Sequence, residues 1–169
     1  MDQKVSKFRF PYCPNSHQTQ YFRRLVDLNA SERARGLDVT TKIASVVNLF
    51  KTQFPDVKVD LKPWKNDPDT QELVDPDSID IGFHFPGWSR RIQCNSILVQ
   101  IRFYTDPLDK TEKLIGLETA GFSHVGQAWR FSTVENWQLL GEYQPQDEIE
   151  AKLKLFSRQV FELYQDKAS

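Results

Sequence analysis

Five side chains outside the carboxylates could ligate a soft metal or form a nucleophile–base pair: Cys13, His17, His84, Cys94 and His124. Cys13 and His17 have a Cys-x3-His spacing, and a zinc site would need two further ligands, for which His84 and Cys94 are available. Strong zinc signals contain two close-spaced pairs, and this sequence has one. The expectation is therefore no metal, with Cys13 as a small buried hydrophobe and His17 in the first turn of a helix. The same residues could make a Cys–His pair for nucleophilic catalysis. Neither cysteine follows a glycine-rich elbow or sits in a local signature of the cysteine enzymes. Gly-x-Ser-x-Gly, the P-loop, Gly-x-Gly-x-x-Gly and His-Glu-x-x-His are all missing from the sequence. Its 7 glycines leave little material for a phosphate cradle, so no cofactor is expected. The aspartates that begin at Asp67 fail as a calcium loop. Glu72 stands where glycine is needed, and Ser78 stands where the bidentate glutamate is needed. Their Asp-Pro repeats read as turns.

Two constellations carry more information. The first is a polar sheet face. Alternation places Asp80 and His84 on one strand, Gln100 and Arg102 on the next, and Glu118 on a third. Arg130 and then Gln138 or Glu142 follow on the last two. Covered by a loop or helix, His84, Arg102, Glu118 and Arg130 would make a pocket for an anionic small molecule or for acid–base chemistry. Left open, they would make cross-strand ion pairs on a solvated face. The second constellation mixes arginine with aromatics. It includes Phe8-Arg9-Phe10-Pro11-Tyr12, Trp129-Arg130-Phe131 and the wide loop Phe85-Pro86-Gly87-Trp88-Ser89-Arg90-Arg91. Turn chemistry alone does not explain Trp88 beside a glycine and a double arginine. Trp88, Arg90 and Arg91 suit a protein-interaction hot spot. They also suit stacking on single-stranded nucleic acid. The plain alternative folds Trp88 back over the core.

The elements that must position these residues follow from periodicity. Pro11 and Pro14 make residues 1–15 an extended arm. Ser16 caps a first helix through Tyr21, Phe22, Leu25, Val26 and Leu28, which continues through Ala30–Ala34 and stops at Gly36. Thr40 caps a second helix, whose stripe is Ile43, Val46, Val47, Phe50 and Phe54 and which ends at Pro55. Val57, Val59 and Leu61 alternate as a strand, and residues 63–77 form an Asp/Pro-rich loop. Strong alternation then marks strands at 79–85 and 97–103, with a bulge expected near Asn95-Ser96. Further strands are expected at 113–119, 128–134 and 137–143, with a loop at 121–126. Pro145 and Asp147 open a last helix with Ile149, Leu153, Phe156, Val160, Leu163 and Tyr164 on one stripe. Segregated helices and consecutive strands imply a single α+β domain over 1–169. It has an antiparallel sheet of five to six strands, two N-terminal helices and one long C-terminal helix.

The length of 169 residues suits one domain. Twelve phenylalanines, four tryptophans and a net charge of −1 exclude a disordered chain. No apolar run is long enough for a secretory signal or a membrane span, and two cysteines allow at most one disulfide. The expectation is a soluble cytoplasmic protein with reduced thiols. With 22 basic against 23 acidic residues and no RNP-like motif, nucleic acid is a poor partner. The sequence favours a small binding or accessory protein over an enzyme. Its aromatic/arginine loop would contact a protein partner, which could be a second copy of the chain.

Overall fold

The computed structural model describes residues 29–63 and 77–165. The expected arm over 1–15, the helix from Ser16 to Leu28, residues 64–76 of the Asp/Pro-rich loop, and Cys13 and His17 lie outside the described residues. In chain order the elements are α1 (Ala30–Arg33), α2 (Leu37–Gln53), β1 (Lys58–Asp60), β2 (Ser78–His84) and β3 (Ser96–Thr105). They continue with β4 (Glu112–Ser123), β5 (Gly126–Ser132), β6 (Gln138–Gly141) and α3 (Asp147–Gln165). The strands form one six-stranded sheet in sequential order, each antiparallel to the next. The fold is α+β, as the sequence implies.

Alternation sets the sheet's two faces. Ile79, Ile81 and Phe83 of β2 stand opposite Ile101, Val99 and Ile97 of β3, and these stand opposite Leu117, Thr119 and Gly121 of β4. This apolar face packs against α2 and α3 in one buried core. Phe50 of α2 joins the layers. Its ring stacks on Phe83 with centroids 3.8 Å apart and meets Phe156 of α3 edge-on at 5.1 Å. Helix α3 buries Ile149, Leu153, Phe156 and Val160 on one stripe and has Asp147, Glu148 and Glu150 in its first turn, where the helix dipole favours acids.

Several expected boundaries move for physical reasons. Helix α2 starts at Leu37, one turn before Thr40, because Gly36 takes a φ of +88° and turns the chain into the helix early. Thr40 is thus inside the first turn, where its hydroxyl donates to the Gly36 carbonyl at 2.8 Å. Strand β4 runs on to Ser123, which narrows the expected 121–126 loop to a tight turn at Ser123–Gly126. Gly121 is a strand glycine, because any Cβ there would collide with the Trp129 indole. The bulges fall at Arg102/Phe103 and Gly121/Phe122, whereas Asn95 precedes β3, which begins at Ser96 without a bulge there. The Asn95 N–H donates to Phe122 O and its carbonyl accepts from Phe85 N, each at 2.8 Å.

Strand β5 ends at Ser132 and β6 spans only Gln138–Gly141, so the expected tight join is a five-residue connection, 133–137, closed by a turn whose two central residues are left-handed, Asn136 at φ 56° and Trp137 at φ 57°. Asn tolerates that conformation, and Trp does not favour it. The Trp137 ring lies against Phe131 and Phe161, with centroids at 6.1 Å and 5.9 Å, and this packing holds the turn.

Candidate functional site

Residues 85–95 connect β2 to β3 along the end of the sheet, and their backbone is tied down at many points. The Gln93 N–H donates to Ser89 O at 2.8 Å, closing one helical turn. The Ser89 hydroxyl accepts from Ile92 N at 3.2 Å, and the Gln93 side chain donates to Arg90 O at 2.9 Å. Gln93 leaves the turn at φ 61°. Two tethers come from distant elements. Trp129 Nε1 donates to Ile92 O at 2.8 Å, and Gln146 N donates to Arg91 O at 2.9 Å.

This fixed loop presents Trp88, which is 53% exposed. Beneath the indole is a groove of about 370 Å³, walled by Phe54 and Pro55 after α2, Phe85 and Pro86 of the loop, and Ile149 of α3. Phe54 and Phe85 meet edge-on at 5.9 Å, and the Lys152 ammonium is 5.8 Å from the Phe54 ring. Arg91 Nη2 donates to Glu148 Oε1 at 2.9 Å, and Lys152 Nζ reaches the same oxygen at 3.2 Å. The Lys152 hydrogen bond first, and then the Arg91 charge, hold the Glu148 carboxyl below its ordinary value. Arg90 is exposed. The groove thus has an apolar floor, and its lining also holds Arg91 and Lys152, both paired with Glu148, and the acid Asp56.

The other expected site is the polar face, and the register brings much of it together. Asp80, Gln100, Glu118, Ser132 and Gln138 form one row across five strands. Asp80 accepts from the Ser78 hydroxyl at 2.6 Å and from Gln100 Nε2 at 3.3 Å. Glu118 accepts from Arg102 Nη1 at 3.4 Å and from the Ser132 hydroxyl at 3.2 Å. Arg130 is on the next row, beside Ala120 and Leu140, and pairs with Glu135 in the β5–β6 turn. Asp80, Glu118 and Arg130 are buried. His84 is apart from them at the exposed end of β2, with Nε2 3.5 Å from Asp60 Oδ2.

Among the described residues no cluster of three His, Cys, Asp or Glu side chains could hold a metal ion. Cys94 is a free thiol, fully buried. Burial pushes it up to about 12, against backbone hydrogen bonds from Phe122 and Ser96 that pull it down. It is a protonated thiol at neutral pH and a poor nucleophile. His124 lies in the β4–β5 turn.

Sequence reasoning finds the loop and misses the groove. Phe54 and Ile149 read as core positions on two helices, and nothing local says that both end beneath Trp88. The Arg91–Glu148 pair spans 57 positions, with no sequence signal beyond the acidic first turn of α3.

Residues 31–166 match a family model described as a domain of unknown function. The chain belongs to that family. The match spans every described helix and strand except the first residue of α1. No curated protein and no solved structure matches the chain. No helix among the described residues is long and apolar enough to cross a membrane.

Proposed function

We propose that this chain is a non-catalytic binding module that receives a protein partner in the groove beneath Trp88. One observation carries the reading. A half-exposed tryptophan is presented by a loop whose backbone is hydrogen-bonded to β5 and to the residue before α3. A fixed aromatic anchor lowers the ordering cost of association, and Trp and Arg dominate interface energetics. The groove fits a partner segment with one apolar anchor flanked by a carboxylate, which would compete with Glu148 for Arg91 and meet Arg90.

The polar face supports a pocket less well. Its carboxylates already accept hydrogen bonds from Ser78, Gln100, Arg102 and Ser132, which is the pattern of a satisfied network. A single-stranded nucleic-acid partner is disfavoured by a net charge of −1. A cytoplasmic setting is part of the proposal, supported by Cys94 being unpaired and buried.

The test uses the full chain as immobilised bait against native extract, beside the double variant Trp88→Ala, Arg90→Ala. Both substitutions are at exposed positions, so the thermal midpoint should be unchanged and partner capture should be lost. A partner held equally by both baits overturns the reading. Light scattering separates a heterologous partner from self-association, since a dimer broken by the same double variant makes the occupant a second copy.

A further inference from the structure

A second cavity, of about 350 Å³, lies at the opposite ends of α2 and α3 from Trp88. Its floor is aromatic. Phe103 and Tyr164 meet at 5.4 Å, with Ile79 and Val39 beside them. Two cations lie over these rings, the Arg33 guanidinium 6.0 Å from the Phe103 centroid and the Lys42 ammonium 4.8 Å from that of Tyr164.

Their ion pairs are lopsided. Arg33 is 22% exposed, and its partner Glu112, at 3.4 Å, is 48% exposed. Lys42 is 19% exposed, and its partner Asp38, at 3.9 Å, is 57% exposed. The cations are therefore turned inward over the apolar floor, and the carboxylates are turned outward into water. Pairs of that length with a solvated carboxylate are weak and are readily exchanged. Glu32 and Arg35 also line the cavity and carry opposite charges. Glu32 Oε2 is shielded from water, as is the Tyr164 hydroxyl, so neither of these two atoms is presented to a ligand. Beside the Tyr164 ring and the largely buried Phe103, a ligand meets the inward cations Arg33 and Lys42, a third cation, Arg35, and the outward carboxylates of Asp38 and Glu112.

We propose that this cavity binds a small organic anion with a flat apolar body, its charged group set between Arg33 and Lys42. The body lies on Phe103 and Tyr164, and the anion displaces the carboxylates of Glu112 and Asp38 from their cations. The size is that of a ligand site, and the mixture is that of such sites, an apolar floor with a few convergent charges. The proposal is independent of the Trp88 groove.

The test is a calorimetric titration of the full chain with 2-naphthoate and with its uncharged amide, two probes of the same ring system and nearly the same shape. Naphthoate should bind about tenfold more tightly than the amide, the size of one charge-assisted hydrogen bond. Lys42→Met should cut that preference at least threefold, with Arg33 still in place, and leave amide binding unchanged. Glu112→Gln should tighten naphthoate binding at least twofold, because the carboxylate paired with Arg33 is then neutral. Trp88→Ala should change neither affinity. Equal affinities for the two probes, no binding of either at millimolar concentration, or loss of binding on Trp88→Ala would each overturn the proposal.

Discussion

The indole N–H of Trp129, in the middle of β5, donates to the carbonyl of Ile92 at 2.8 Å across 37 positions of the chain. That bond joins the buried core to the loop that carries Trp88. The indole lies over Gly121, and its ring is fully buried. One residue therefore fills the sheet and also fixes the loop above it.

Trp129→Phe should separate the two roles. It keeps an aromatic ring and leaves the Ile92 carbonyl without its donor, at a cost of about 1–3 kcal/mol. Urea unfolding should show the loss. Amide exchange should show faster opening confined to residues 89–93. A uniform rise in exchange across the sheet would argue that the bond serves the core alone.

Gly121→Ala tests the space beneath that indole. The added methyl meets the ring of Trp129, and overpacking of a well-filled core costs about 1–3 kcal/mol. The double variant Gly121→Ala, Trp129→Phe should recover part of the loss, as coupled neighbours do. Additive losses in the cycle would contradict the contact.

Strand positions were legible in the sequence because alternation is strong where one face of a sheet is buried. Ile79, Ile81 and Phe83 fix the phase of β2, and Ile97, Val99 and Ile101 fix that of β3. Once the phase is right, Asp80, Gln100 and Glu118 fall on one face, but the register that sets them in one row, and leaves His84 apart, comes from the connections between strands. Loop glycines were less legible. A glycine in a strand that lies under an indole looks the same in sequence as one that turns the chain. For that reason Gly121 read as the start of a loop. The groove was not legible, since Phe54, Trp88 and Ile149 come from three elements and meet only after the helices dock.

The paired row on the polar face predicts a cost for a neutral substitution of nearly the same shape. Glu118→Gln keeps the volume and weakens acceptance from Arg102 and Ser132, with an expected loss of about 1–3 kcal/mol. Chemical denaturation measures it. A neutral result would mean that the bonds from Arg102 and Ser132 add nothing net to folding.

High pH should destabilise the fold through two residues. Burial raises Cys94 from 9.0 to about 12 and Tyr164 from 10.0 to about 12. Both stay protonated in the folded chain, and the unfolded chain releases its protons first. Stability is then undiminished below about pH 9 and falls as pH rises toward 12. Thermal midpoints between pH 8 and 11 should fall less steeply in Cys94→Ala and in Tyr164→Phe than in the unsubstituted chain. Parallel curves would show that neither group is linked to folding.

Because the strands pair strictly in the order of synthesis, each hairpin can form as soon as its second strand exists. The hydrophobic side of the sheet cannot be sealed on that schedule. Helix α2 is made before the sheet, and the second cover, α3, is made after it, so Phe50 must wait for Phe156 until the last strand is finished. A nascent chain halted before α3 would present a nearly finished sheet with half of its greasy side uncovered, a species suited to capture by chaperones and prone to aggregate.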